Sequence, residues 1–161
     1  MSREYRKWVA DYQDQAWTLA RYLLKDASEA EDATQEAFVK LWNHRDQIDP
    51  DCIRPWLMRV TRNHCLDRLR RRRPEQEFVD YQSADHRDPL HGVQQSELGT
   101  LLKRAIGGLK EPYRTLVVLR DIQQHSYLEV AGVMELSLSQ VKVYLHRARK
   151  QLREQLAEIK P

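Results

Sequence analysis

Asp32 and Glu36 stand four residues apart in DASEAEDATQEAFVKLW, 26 to 42, so on a helix they share one face, with Glu29 and Gln35 beside them. Paired carboxylates of this kind can trade protons or hold a cation. No histidine lies at ligand spacing, however, and the flanking residues are the aromatics Phe38 and Trp42. Carboxylates bordered by large apolar side chains fit a protein-docking surface better than a reaction centre. On these residues alone a plain solvated helix face stays open as the alternative.

A second stretch has the opposite charge. RNHCLDRLRRRRP, 62 to 74, puts six arginines into twelve residues before a proline closes the run. Such a run is either a solvated helix end or a surface for a polyanion. A third stretch, YLEVAGVMELSLSQVKVYLHRARKQL, 127 to 152, has the pattern of a helix-turn-helix. Ala131 lets two helices cross closely, and Met134 and Leu136 fall at the turn. Ser137 or Ser139 can cap a second helix, held inward by Leu138, Val141 and Leu145. That helix turns Gln140, Lys142, Val143, His146, Arg147 and Lys150 outward. Lysine and arginine reach phosphates and guanine edges, and glutamine and histidine can read bases. Glu135 sits at the turn, where glycine would take a left-handed conformation without cost.

The composition narrows the fold class, and the absence of a visible cluster or apolar span argues against enzyme and membrane classes. The chain has 161 residues, 32% of them charged, only five glycines and a net charge of +3. A mean hydropathy of −0.77 belongs to a charge-rich helical protein rather than a large buried sheet. Cys52 and Cys65 match no zinc spacing and form no disulfide framework, so a reduced compartment is expected. No signal peptide and no membrane-spanning run is visible, and no nucleophile–base pair or metal cluster stands out.

These segments need helices to hold them. Tyr5, Trp8, Val9, Tyr12, Ala16, Leu19, Ala20, Leu23 and Leu24 predict an amphipathic helix over 4–24. Asp26 or Ser28 caps the next, with Glu31 three after Ser28 as in a capping box, and that helix runs to about Trp42. Residues 43–55 read as a loop, and a third helix starts near Pro55 and stops at Pro74. Its apolar side is expected to be Trp56, Leu57, Val60, Leu66 and Leu69. Residues 75–93 read as a linker. Beyond it, Leu98, Leu101, Leu102, Ala105, Ile106 and Leu109 predict a helix ending near Gly107–Gly108. Pro112 opens another with Tyr113, Leu116, Val117 and Leu119 buried, before a helix from Tyr127 to about Met134 and a long one from about Ser139 to Leu156. The fold class is therefore all-α, in two small helical lobes: 1–74, with three or four helices, and 94–161, carrying the helix-turn-helix.

EDATQEAFVKLW, PWLMRVTRNHCLDRLRRRR and SLSQVKVYLHRARKQL, in that order, resemble an extracytoplasmic-function type RNA polymerase sigma factor of bacteria, over nearly the whole chain. The resemblance implies sigma region 2 in the first lobe and region 4 in the second. It implies that Glu29, Asp32, Gln35 and Glu36, flanked by Phe38 and Trp42, dock on a basic coiled coil of core RNA polymerase. It puts Trp56, Arg59, Arg62, Asn63 and Arg68 at the −10 promoter element, with Arg70 to Arg73 serving as phosphate contacts or staying solvated. It puts Gln140, Lys142, Val143, His146, Arg147 and Lys150 at the −35 element. Implied partners are core polymerase, promoter DNA and an anti-sigma factor. A cytoplasmic location, no cofactor and no enzymatic activity go with them. Two departures stand out. Ser139-Gln140-Val141-Lys142-Val143-Tyr144 replaces the frequent Gly-Thr-Val-Lys-Ser-Arg, and loop 43–55 lacks the aromatic that some members carry. The rival readings are a stand-alone helix-turn-helix regulator, which leaves the acidic helix without a role, and a carboxylate nuclease.

Overall fold

The computed structural model describes residues 2–72 and 97–159, and among them every regular element is helical. The chain divides into two compact units, Met1–Val79 and Asp80–Pro161. The expected linker, 75–93, and Pro74 as a helix stop lie outside the described residues.

The first unit is built from α1 (Arg3–Leu24), α2 (Ala27–His44) and α3 (Ile53–Arg71), each packed on the other two. Ser2 caps α1 by accepting from the Tyr5 amide at 3.1 Å. Asp26 does the same for α2, accepting from the Glu29 amide at 2.9 Å, so the Ser28–Glu31 capping box is not the cap used. With Asp26 as the N-cap, Ser28 already lies inside the first turn and is no longer at a capping position. The Ala30, Ala33, Ala37 and Leu41 stripe is buried as its spacing requires, and its small side chains let α2 lie close to α1. Thr34 and Thr61, also buried, each return their hydroxyl to the carbonyl four residues back, Ala30 at 2.7 Å and Leu57 at 2.8 Å.

The loop expected at 43–55 is shorter than its composition suggested. Two 3₁₀ turns, Arg45–Gln47 and Pro50–Cys52, fill most of it, and α3 begins at Ile53 rather than Pro55. The buried stripe of α3 is Ile53, Leu57, Met58, Thr61 and Cys65. Of the five residues expected there only Leu57 is fully buried; Trp56, Val60, Leu66 and Leu69 are half-exposed. Counting Thr61 and Cys65 as polar rotates the apparent apolar side away from the true one.

The second unit comprises α4 (Glu97–Gly107), α5 (Tyr113–Val117), α6 (Tyr127–Met134) and α7 (Leu138–Ile159). Ala105, Ile106 and Leu109 are buried as expected, whereas Leu98 is 59% exposed and Leu101 and Leu102 are only half-buried. Tyr113 is likewise half-exposed, its ring edge-on to Tyr144 at 6.1 Å. α5 runs straight into a π-helical turn, Val118–Ile122, which no sequence signal announced. The wider turn closes with the Gln123 amide donating to the Val118 carbonyl at 2.9 Å.

Candidate functional site

Three surfaces carry the residues singled out in the sequence. The first is the outer ridge of α2. Asp32, Gln35 and Glu36 are exposed there, with Val39, 54% exposed, one turn further on. The two aromatics expected to flank them support the ridge from behind instead. Phe38 is buried, and its carbonyl accepts the Tyr5 hydroxyl at 2.8 Å. Burial raises the pKa of that hydroxyl, so Tyr5 remains a donor. Trp42 meets the Tyr5 ring edge-on at 4.9 Å, and the Arg45 guanidinium lies 3.6 Å over its indole while bonding its carbonyl at 2.7 Å. Beside the ridge, between α1 and α2, runs a groove of about 480 Å³ lined by Tyr5, Val9, Gln35, Phe38 and Val39. The ridge thus offers carboxylates and one apolar side chain on a rigid aromatic base.

The second surface is α3, which shows two faces. Trp56, Arg59 and Asn63 recur at steps of three and four on one of them, with Arg62 next to Asn63. Asn63 is exposed, the other three are half-exposed, and the His44 ring sits 5.9 Å from that of Trp56. The opposite face turns back to α2. Arg68 approaches Glu29 at 3.6 Å and Asp32 at 4.0 Å. Arg72 pairs with Glu29 and donates to the Leu24 carbonyl at 3.4 Å. Arg71 pairs with Asp67 at 2.9 Å on the same helix, and His64 lies nearby. Burial, together with Lys40, lowers the pKa of His64. Glu29 and Arg68, expected to face two different partners, face each other.

The third surface is the helix-turn-helix. Ser126 and Glu129 form a reciprocal capping box at 3.0 Å each way, fixing the start of α6. Glu135 takes the left-handed turn position, φ 56° and ψ 44°, and the Leu136 amide returns to the Ala131 carbonyl at 3.1 Å. Ser137 rather than Ser139 then caps α7, accepting from the Gln140 amide at 3.1 Å. The Gln140 side-chain oxygen accepts from the Ser137 amide at 2.9 Å in return. Gln140 therefore commits one lone pair of its side-chain oxygen to the cap, which fixes the side chain in place with its amide donors available to a partner. Val141, Leu145 and Ala148 are buried, which leaves Lys142, Val143, His146, Arg147 and Lys150 exposed on one broad surface. Asp121, from the π-helical turn, grips Arg149 bidentately at 2.6 and 3.1 Å and raises its pKa, anchoring α7 in mid-length. The sequence reading missed this anchor and the Ser126–Glu129 box. The box had a local signal, serine three before glutamate, whereas the anchor joins residues 28 apart.

Among the described residues no group of three or more histidine, cysteine or acidic side chains is placed to hold a metal ion. No described helix is long and apolar enough to cross a membrane.

Comparison with known proteins matches both units to one family. The Sigma-70 region 2 family model covers residues 8–75, and the Sigma-70, region 4 model covers residues 100–152. The ECF RNA polymerase sigma factor SigW of Bacillus subtilis is 30% identical over 162 residues, covering 92% of this chain and 86% of that protein. The ECF RNA polymerase sigma factor SigE of Mycolicibacterium smegmatis is 35% identical over 155 residues and 93% of this chain, which spans 60% of that protein's length. Among solved structures, CnrH in complex with the cytosolic domain of CnrY superposes with a TM-score of 0.73 at 25% identity, over 97% of this chain and 89% of that one. The sigma factor RpoE from Bartonella quintana, in complex with the anti-sigma factor NepR, shares the fold with a TM-score of 0.77 at 20% identity, over 99% of this chain and 100% of that one.

Proposed function

This chain belongs to the extracytoplasmic-function family of RNA polymerase sigma factors, and on that premise we propose how its two units divide the work of initiation. A sigma factor binds core polymerase and directs it to promoters. The first unit, 1–74, holds the polymerase through Asp32, Gln35 and Glu36 and meets the −10 element through Trp56, Arg59, Arg62 and Asn63. The second unit, 94–161, meets the −35 element through Lys142, Val143, His146, Arg147 and Lys150, with Gln140 donating from the end of the helix. We leave Glu29 and Arg68 outside these sets, since they approach each other at 3.6 Å and the Glu29 side chain is 26% exposed; Asp32, 4.0 Å from Arg68 but 63% exposed, stays in the docking set. Phe38 and Trp42 act by stiffening the docking ridge. The protein works in the cytoplasm as a dissociable subunit and catalyses no reaction itself. RpoE is held by an anti-sigma factor in its solved structure, and a restraining partner of that kind is proposed for this chain as well.

The observation that carries the division is the placement of the carboxylate ridge on α2 beside the arginine-bearing α3 in one three-helix unit. A stand-alone helix-turn-helix regulator would leave that ridge without a partner. Truncating one side of a desolvated interfacial charge pair costs roughly 2–5 kcal/mol, and reversing it adds repulsion. Asp32→Lys with Glu36→Lys is therefore expected to abolish capture of core polymerase while leaving the circular dichroism spectrum helical. Capture at the level of the unaltered chain would refute the docking assignment. Sequencing the transcripts that core polymerase makes on genomic DNA, with and without this chain, tests the function as a whole.

A further inference from the structure

We infer that Glu29 limits how tightly α3 holds DNA: it masks the charges of Arg68 and Arg72 and keeps both off the phosphates. The inference rests on the reading of α3 as the −10 helix.

Glu29 lies in the first turn of α2, where a carboxylate also faces the positive end of the helix. Two guanidiniums from α3 converge on it. Arg68 and Arg72 are four residues apart, so they occupy one face of α3, and that face is the one turned to α2. Exposure separates them from Arg70 and Arg71. The Arg72 side chain is 11% exposed and that of Arg68 35%, against 79% for Arg71. Arg72 is further tied down by the Leu24 carbonyl at the end of α1, 48 residues away in sequence. These two arginines therefore brace α3 against the α1–α2 turn. Asn63, Arg59 and Trp56 stand on another face of the same helix.

Sequence-independent affinity for nucleic acid scales with the number of phosphates that cations neutralise, and it shows as the slope of log K against log salt. Each cation adds roughly 0.7 to that slope on single strands. Masking two of them lowers bulk attraction and leaves more of the discrimination to Asn63 and its neighbours. Glu29 is thus a positioning and specificity-determining residue, distinct from the docking acids Asp32 and Glu36.

The test measures binding of the full chain to a fluorescein-labelled single-stranded oligonucleotide of mixed sequence, across a salt titration. Glu29→Gln is expected to tighten binding at low salt and steepen the slope by about 0.7 for Arg72, rising toward about 1.4 as Arg68, which keeps Asp32 at 4.0 Å, is released too. Adding Arg68→Gln and Arg72→Gln to it should restore the original slope, which loss of packing alone would not do. Capture of core polymerase by Glu29→Gln should be unchanged. Arg72→Gln alone should leave the slope as it was, and this arm decides the matter if Glu29→Gln fails to fold. An unaltered slope in folded Glu29→Gln, or a fall of about 0.7 in Arg72→Gln, overturns the inference. Arg59→Gln keeps the underlying reading separate. Its slope should fall by about 0.7, and if it does not, α3 does not contact DNA through this face.

Discussion

Glu135 is the residue whose replacement tests most directly how the helix-turn-helix is held. It closes α6 at φ 56°, ψ 44°, with its amide on the Ala131 carbonyl, and its side chain is exposed. A left-handed backbone costs an L-residue roughly 1–2 kcal/mol, and glycine escapes that cost. Glycine gives back roughly 0.5–1 kcal/mol because its unfolded chain has more freedom to lose. Glu135→Gly should then stabilise the second unit by about 0.5–1 kcal/mol, a rise in its midpoint of about 2–8 °C for a unit of this size. The four tryptophans, Trp8, Trp17, Trp42 and Trp56, all lie in the first unit, so their emission reports on it alone. Far-ultraviolet circular dichroism reports on both units. The dichroism transition assigned to the second unit should move up while the tryptophan transition stays in place. Glu135→Val, β-branched at the same φ, should move it the other way. A midpoint that falls with glycine would refute the argument, because the glutamate side chain would then stabilise more than its backbone strain costs.

Two further predictions concern promoter contacts. Asn63→Ala should reduce opening of the −10 region, read by permanganate reactivity of unpaired thymines, with capture of core polymerase retained; normal opening would remove Asn63 from the melting face. Arg147→Ala should relax base preference at one or two −35 positions, costing roughly 1–3 kcal/mol on the preferred sequence, whereas Lys142→Ala should weaken all sequences evenly and lower the salt slope by about one. A transcribed library of −35 substitutions separates the two roles, and a sequence-selective effect of Lys142→Ala with none from Arg147→Ala would reverse them.

What could be read from the sequence was what repeats locally. The α2 stripe of Ala30, Ala33, Ala37 and Leu41 obeys helical spacing, and all four are buried. In α1 the same rule found Ala16, Leu19, Ala20, Leu23 and Leu24 but passed over Trp17 and Tyr22, which are buried as well. Periodicity marks one stripe, whereas α1 packs against both α2 and α3 and so buries more than one. On α3 the arginines and the buried Thr61 and Cys65 concealed the inward side. The exposure of Asp32, Gln35 and Glu36 on α2, and of the outward positions of α7, was legible because each set lies along a single helix. The pairing of Glu29 with Arg68 and Arg72 was not, since it joins residues 39 and 43 positions apart by tertiary packing. It is also what sets Arg68 and Arg72 apart from the exposed Arg70 and Arg71, a division that cuts across the sequence's separation of the arginines near Asn63 from Arg70 to Arg73.

That division bears on how a small sigma factor avoids being trapped on the chromosome. A genome presents roughly 10⁶–10⁹ competing non-promoter sites, so the useful quantity is the ratio of specific to bulk affinity. Every outward arginine raises bulk affinity at all of them equally. On the proposed reading, bracing Arg68 and Arg72 against Glu29 withholds two such charges on α3, and tying the Gln140 side chain into the cap of α7 restricts how it can turn toward a base. On the same reading each unit alone is expected to hold DNA weakly. Carried together on one polymerase, the two contacts act at high effective concentration toward a promoter with both elements at the correct spacing. Linkage of this kind raises affinity by roughly 10²–10⁴ without a new contact. The gain is lost wherever only one element is present, so on the proposed division discrimination comes from requiring both surfaces at once, and weak individual units are the condition for it.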